Sequence, residues 1–164
     1  MVMRSLVTGA TGFLGSAVMR CLLTAGHEVR VLVRENSNLK NISNFPVEVF
    51  EGALRNRMSL ERALADCQNL FHVAADYRLW VPDPDTMHAI NGEGTRSLIT
   101  AASNAGLEHI VYTSSVATLG LTADGTPANE ETPCSLESVV GNYKRSKFLA
   151  EQVVMQLTQE LSLP

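Results

Sequence analysis

The sequence predicts an α/β fold built on a doubly wound parallel sheet of about five strands, and three observations predict it. Short β-branched runs alternate with longer stretches of helical periodicity, which implies parallel strands joined by helical crossovers. A glycine-rich turn follows the first run and opens the first helical stretch. The 164 residues are 45% apolar and 18% charged, which suits a single globular domain with a sizeable core and disfavours disorder.

The elements follow in order. Arg4–Thr8 is an apolar run that ends in the glycine turn, as a buried strand would. Phe13–Ala25 places Phe13, Leu14, Ala17, Val18, Cys21 and Leu22 at helical spacing and stops at Gly26, a C-terminal helix signal. Glu28–Val33 and the short Val47–Phe50 read as strands, with a short helical piece expected between them. Ser59–Ala65 predicts a helix of about two turns and Asn69–Val73 a fourth strand. Pro84–Ala105 reads as one long helix ending at Gly106, and His109–Thr113 as a fifth strand. Tyr143–Glu160 closes the series as a helix with Phe148, Leu149, Val153 and Leu157 on its core stripe. Leu119–Val140, rich in Gly, Pro, Thr, Asn and Glu, is a loop of a length usually reserved for function. Leu161–Pro164 reads as the lead-in to another strand, so residues 1–164 are expected to be the front half of something larger.

Composition narrows the function. A net charge of −4, from 13 basic and 17 acidic residues, argues against a nucleic-acid partner. No apolar run approaches the roughly 20 residues of a membrane span, and the start is too short before the glycine turn for a signal peptide. A cytoplasmic protein is expected. Cys21, Cys67 and Cys134 are odd in number and scattered, as reduced thiols are. His27, His72, His88 and His109 lack ligand spacing, so no metal is expected.

The turn Thr8-Gly9-Ala10-Thr11-Gly12-Phe13-Leu14-Gly15 has the mechanics of a diphosphate site. Gly9 permits the tight turn, Gly12 lets the backbone approach the ligand, and Gly15 lets the helix pack closely on the sheet. Exposed amides around Thr11, Phe13 and Leu14 and the positive helix end then hold the anion. Arg34 ends the second strand, where the adenosine ribose lies in dinucleotide folds. A planar cation there, with Ser37 and Lys40 on the next turn, favours a 2′-phosphate, hence NADP with NAD less favoured. A solvated arginine neutralised by Glu35 is the plainer alternative.

Tyr143 and Lys147 open the last helix four residues apart, so they share a face. A neighbouring cation lowers a phenol's pKa and makes it a proton donor and acceptor for a carbonyl or alcohol. Thr113-Ser114-Ser115 ends the preceding strand and offers a hydroxyl to the substrate oxygen. Tyr77, Arg78 and Trp80 follow the fourth strand and could bind a sugar or an anionic group, or simply pack on their own domain.

Together, Gly9-x-x-Gly12-x-x-Gly15, Ala74-Ala75, Asn91, Ser114-Ser115 and Tyr143-x-x-x-Lys147 resemble the extended short-chain dehydrogenase/reductases along the whole chain. The segments His72–Trp80 and Tyr143–Glu151 are similar to hopanoid-associated sugar epimerases, with the dihydroflavonol-reductase-like group next. The resemblance implies a Rossmann fold in which residues 1–164 are the dinucleotide-binding domain, N-terminal half of a larger protein whose C-terminal substrate domain is missing here, with NAD(P) binding and a Ser115-Tyr143-Lys147 active site. It also implies cofactor contacts from Gly9, Thr11, Gly12, Phe13, Leu14, Gly15, Arg34, Lys40, Leu54, Ala74, Ala75, Tyr143 and Lys147. The family's usual G-D-L-x-D is replaced by Gly52-Ala53-Leu54-Arg55-Asn56, so adenine recognition is expected either to weaken or to pass to the Leu54 backbone.

The implied function is hydride transfer on a sugar or small hydroxy/keto substrate, as an epimerase or as a carbonyl reductase of the dihydroflavonol type. The competing reading is a non-catalytic NADP-binding sensor or scaffold. A homodimer through the two long helices is implied as well.

Overall fold

The computed structural model describes residues 2–164. Its strands are β1 (Arg4–Thr8), β2 (Glu28–Val33), β3 (Glu48–Glu51), β4 (Asn69–His72) and β5 (His109–Tyr112). They form one sheet in the order β3-β2-β1-β4-β5, with every pair parallel. The chain runs outward from β1 to β2 and β3, then returns to the other side for β4 and β5. That reversal leaves a crevice above the β1 and β4 tips, where Thr8 pairs with His72.

Alternation within the strands builds the two halves of the core. Leu6, Leu32 and Leu70 face α2 (Arg57–Leu64), α4 (Gly94–Asn104) and α5 (Asn142–Leu161), and pack with Leu60, Leu64, Leu98, Ile99 and Leu157. Val7, Val31 and Val33 face α1 (Phe13–Thr24) and pack with Met19 and Ile42. The α1 side is covered by that helix and by Ile42 of the β2–β3 connection, and Val111 of the edge strand β5 is half exposed. Arg30, buried within β2, donates from Nη1 to the Ala63 and Ala65 carbonyls at 2.7 Å each and so closes the end of α2.

Several sequence expectations need correction. Between β2 and β3 there is no helix among the described residues. This Asn- and Ser-rich stretch makes isolated turns, and Asn41 reaches across to donate to the Thr11 carbonyl at 2.8 Å. The buried face of α1 is Gly15, Ser16 and Met19, whereas Phe13, Leu14 and Cys21 point to solvent. On α5 the buried positions are Ser146, Lys147, Ala150 and Leu157, with Leu149 on the exposed rim. The long helix is interrupted: α3 (Pro84–His88) passes through a π turn (Ala89–Glu93) into α4. The extra residue of that turn sits beside Asn91, which is buried.

Candidate active site

The glycine turn is built by steric need. Gly9 takes φ +76°, and a Cβ there would lie 2.8 Å from the Ala74 amide nitrogen at the tip of β4. A Cβ on Gly15 would stand 2.2 Å from the Gly9 carbonyl oxygen. Both positions let β1, the turn and α1 close together. Gly12 is the N-cap of α1, and no side chain caps the helix. The first amides of α1 therefore open toward the crevice beside Phe13, which is 90% exposed. A diphosphate fits this cradle of amides, the close-packed glycines and the absence of any acid in the first turn.

The β4 side of the cradle is pinned from beneath. Thr8 Oγ1 accepts the amides of Val73 and Ala74 at 3.2 and 3.1 Å, so its own proton goes to His72 Nδ1 at 2.8 Å. His72 is then the neutral tautomer that donates from Nε2 to Thr95 Oγ1 at 2.9 Å. Burial, reinforced by the Lys147 charge, pushes this imidazole down to about 3. Ala74 and Ala75 continue from that tip. Next, the Asn91 side chain accepts the Asp76 amide at 2.7 Å and donates to the Asp76 carbonyl at 2.8 Å. Asn91 also donates to Ser146 Oγ at 2.9 Å, which ties the loop after β4 to α5. Arg78 pairs with Asp76 at 2.5 Å and holds that carboxyl below its usual range.

Lys147 is 3% exposed and lies against the end of β5. Its Nζ donates to the Tyr112 hydroxyl at 2.7 Å and to the Thr113 carbonyl at 2.9 Å. Burial lowers its ammonium to about 8, partly offset by Glu151. The Tyr112 phenol is pushed up, by burial first and then by Glu151 and Tyr143, so it stays protonated. Tyr143 stands one turn before Lys147 on α5 and is partly exposed.

Ser114 and Ser115 differ in what their hydroxyls do. Ser114 Oγ donates to Glu151, and the single hydrogen of Thr118 Oγ1 is shared between the Ser115 carbonyl at 2.8 Å and the same carboxylate at 3.1 Å. Ser115 caps the short turn Val116–Thr118 by accepting the Ala117 amide at 3.2 Å. Its hydroxyl hydrogen stays uncommitted, a donor for an incoming oxygen. Sequence reasoning missed Tyr112 and Glu151. The period-two alternation of β5 and the four-residue step from Lys147 to Glu151 were the available signals.

Arg34 lies exposed at the end of β2, and its field lowers Asp76 across the crevice. Among the described residues it carries no ion pair, with Glu35 or any other acid. Its amide donates to Ser37 Oγ at 3.1 Å, and Lys40 is exposed on the same turn. Leu54 packs under α4 at Gly94, and the neighbouring Ala53 amide is taken by Ser59 Oγ at 3.2 Å. Among the described residues no cluster of His, Cys, Asp and Glu could hold a metal ion, and no helix is long and apolar enough to cross a membrane.

These features define a Rossmann-type dinucleotide domain with ionisable side chains gathered at its strand tips. Residues 5–164 match the NAD dependent epimerase/dehydratase family, and the chain belongs to it. It is 55% identical to the protein in the crystal structure of gox2253, covering 98% of this chain and 48% of that one, with a TM-score of 0.93. The UDP-glucose 4-epimerase of Thermus thermophilus, solved in complex with NAD, is 30% identical over 98% of this chain and 52% of its own, with a TM-score of 0.85. A Synechocystis protein named "Putative dihydroflavonol 4-reductase" is 43% identical over 94% of this chain and 45% of its own. The chain thus spans about half the length of the relatives it matches.

Proposed function

We propose that this chain is the dinucleotide-binding half of an NAD(P)-dependent oxidoreductase or epimerase that transfers hydride to or from a sugar or small hydroxy/keto substrate. One observation carries the reading: a buried lysine, one turn from a tyrosine, sits at the same strand tips as an uncapped helix N-terminus. A nicotinamide bound in this crevice supplies the hydride donor or acceptor. Tyr143 then handles the proton, taking it from an alcohol or giving it to a carbonyl oxygen. Lys147, one turn further on, presents its ammonium at the same strand tip, held there by the Tyr112 hydroxyl and the Thr113 carbonyl. Ser115 orients the substrate oxygen with its free hydrogen. The half-exposed Val111 on the edge strand β5 supports continuation of the sheet by further chain.

Arg34, which carries no ion pair among the described residues and shares its turn with Ser37, favours the 2′-phosphate and hence NADP. Fluorescence titration with NADPH and NADH tests this. Arg34→Gln is expected to weaken NADPH roughly 10- to 100-fold, the worth of a charge-assisted hydrogen bond, with NADH binding little changed. Equal affinity of the wild type for both nucleotides overturns the NADP preference.

A carbonyl reductase of the dihydroflavonol type is the second reading, favoured by the Synechocystis relative and by the exposed Tyr77, Leu79 and Trp80 after β4. An epimerase retains its nucleotide through purification, whereas a reductase releases it each turnover. The absorbance of the purified protein separates them.

A further inference from the structure

We propose that Tyr112 is a positioning residue for this site: its hydroxyl anchors the Lys147 ammonium at the tip of β5 and so leaves a single lysine donor for the crevice. The inference rests on the hydride-transfer reading above and deepens it.

An ammonium has three donors. Two are committed to β5, at the Tyr112 hydroxyl (2.7 Å) and the Thr113 carbonyl (2.9 Å). The third therefore has a fixed direction, set by two acceptors that belong to the same strand end as Ser115. The Tyr112 ring is itself held. It stacks at 5.6 Å, tilted, on His72, whose two nitrogens are engaged by Thr8 and Thr95. Lys147 Nζ lies 4.4 Å from the centre of the Tyr112 ring, at its hydroxyl edge, as the 2.7 Å hydrogen bond requires. The chain of contacts runs from the phosphate turn through Thr8, His72 and Tyr112 to Lys147. It joins the diphosphate end of the crevice to its reactive end.

The hydroxyl also supports the lysine's charge. An oxygen that accepts from an ammonium favours the protonated form, which burial opposes. The ionisable groups facing Lys147 are His72 on β4, Tyr112 on β5, and Tyr143 and Glu151 on α5 itself. His72 is neutral, and Tyr112 stays protonated. The turn Val116–Thr118 brings no ionisable side chain. Asp85, His88, Glu93 and Arg96 line the groove between α3–α4 and α5, alongside Leu149 and Val153. Glu151 already accepts from Ser114 and Thr118. The Tyr112 hydroxyl thus adds a directed neutral acceptor to the charge of Glu151 in holding the buried ammonium protonated.

Tyr112→Phe in the protein at its full encoded length tests the proposal, since phenylalanine keeps the ring stacked on His72 and removes only the hydroxyl. Two readouts apply: the Lys147 titration followed by side-chain nitrogen NMR, assigned with Lys147→Met, and the pH profile of kcat/KM. Both are expected to shift downward by about one pH unit, the worth of one hydrogen bond to a charged group. Unchanged titration and profile, with Tyr143→Phe inactive, overturn the proposal and leave the hydride-transfer reading standing. Full turnover by Tyr143→Phe overturns that reading and this proposal with it.

Discussion

His72 shows how one side chain ties the stability of the fold to the state of its site. Its ring lies between two threonine hydroxyls, fully enclosed, and is held neutral down to about 3 instead of its ordinary 6.5. Between those values the unfolded chain takes up a proton that the folded chain refuses. Stability from this group is therefore intact above about pH 6.5 and declines as the pH falls toward 3, by up to about 1.4 kcal/mol per unit. Urea midpoints measured from pH 7 to pH 4 should fall accordingly, and His72→Gln should flatten the decline. A slope identical in the two proteins would contradict this account of the ring. The same residue marks a limit of sequence reading. His72 borders a predicted strand and reads as structural, and it is. That its partners are Thr8 and Thr95, 64 and 23 residues away, is decided by strand order and helix placement, which no local pattern contains.

At the scale of elements, β1 and β2 were legible residue for residue, because short runs rich in Leu and Val, flanked by turn signals, identify strands covered on both faces. The other strands and helices fell within two residues of expectation at nearly every end. The stripe on α5 was misread for a physical reason. Its buried face carries Ser146 and Lys147, polar groups that the interior accepts because Asn91, Tyr143, Tyr112 and Thr113 satisfy them. An apolar-periodicity argument passes over such a face and selects Leu149 in their place. The π turn was hidden likewise, since one inserted residue leaves the apolar spacing of a long helix almost unchanged. The phosphate turn was the opposite case, since its glycines are imposed by geometry. Gly15→Ala should force the Gly9 carbonyl aside and cost about 1–3 kcal/mol, read as a lower urea midpoint, together with weaker dinucleotide binding. A variant as stable as the wild type would show that α1 can retreat from the turn without penalty.

For the molecule as a whole, strand order does the assembling. The reversal between β1 and β4 opens one crevice, and the tips of β1, β2, β4 and β5 deliver to it the glycine turn, Arg34, the Ala74–Asp76 segment and Ser115. Residue types and their order along the chain had singled out these segments as the candidates. What they left out is the inner layer, Thr8, His72, Thr95, Tyr112 and Glu151, which fixes how the outer groups point. The claim at the centre of this account is that Tyr143 is the proton-handling group of a hydride-transfer site. The most direct measurement compares wild type and Tyr143→Phe, at full encoded length, for nucleotide binding and for reduction of a carbonyl substrate. Unchanged nucleotide affinity with turnover lower by about 10²- to 10⁴-fold is the predicted result. Turnover by Tyr143→Phe at the wild-type rate would contradict it.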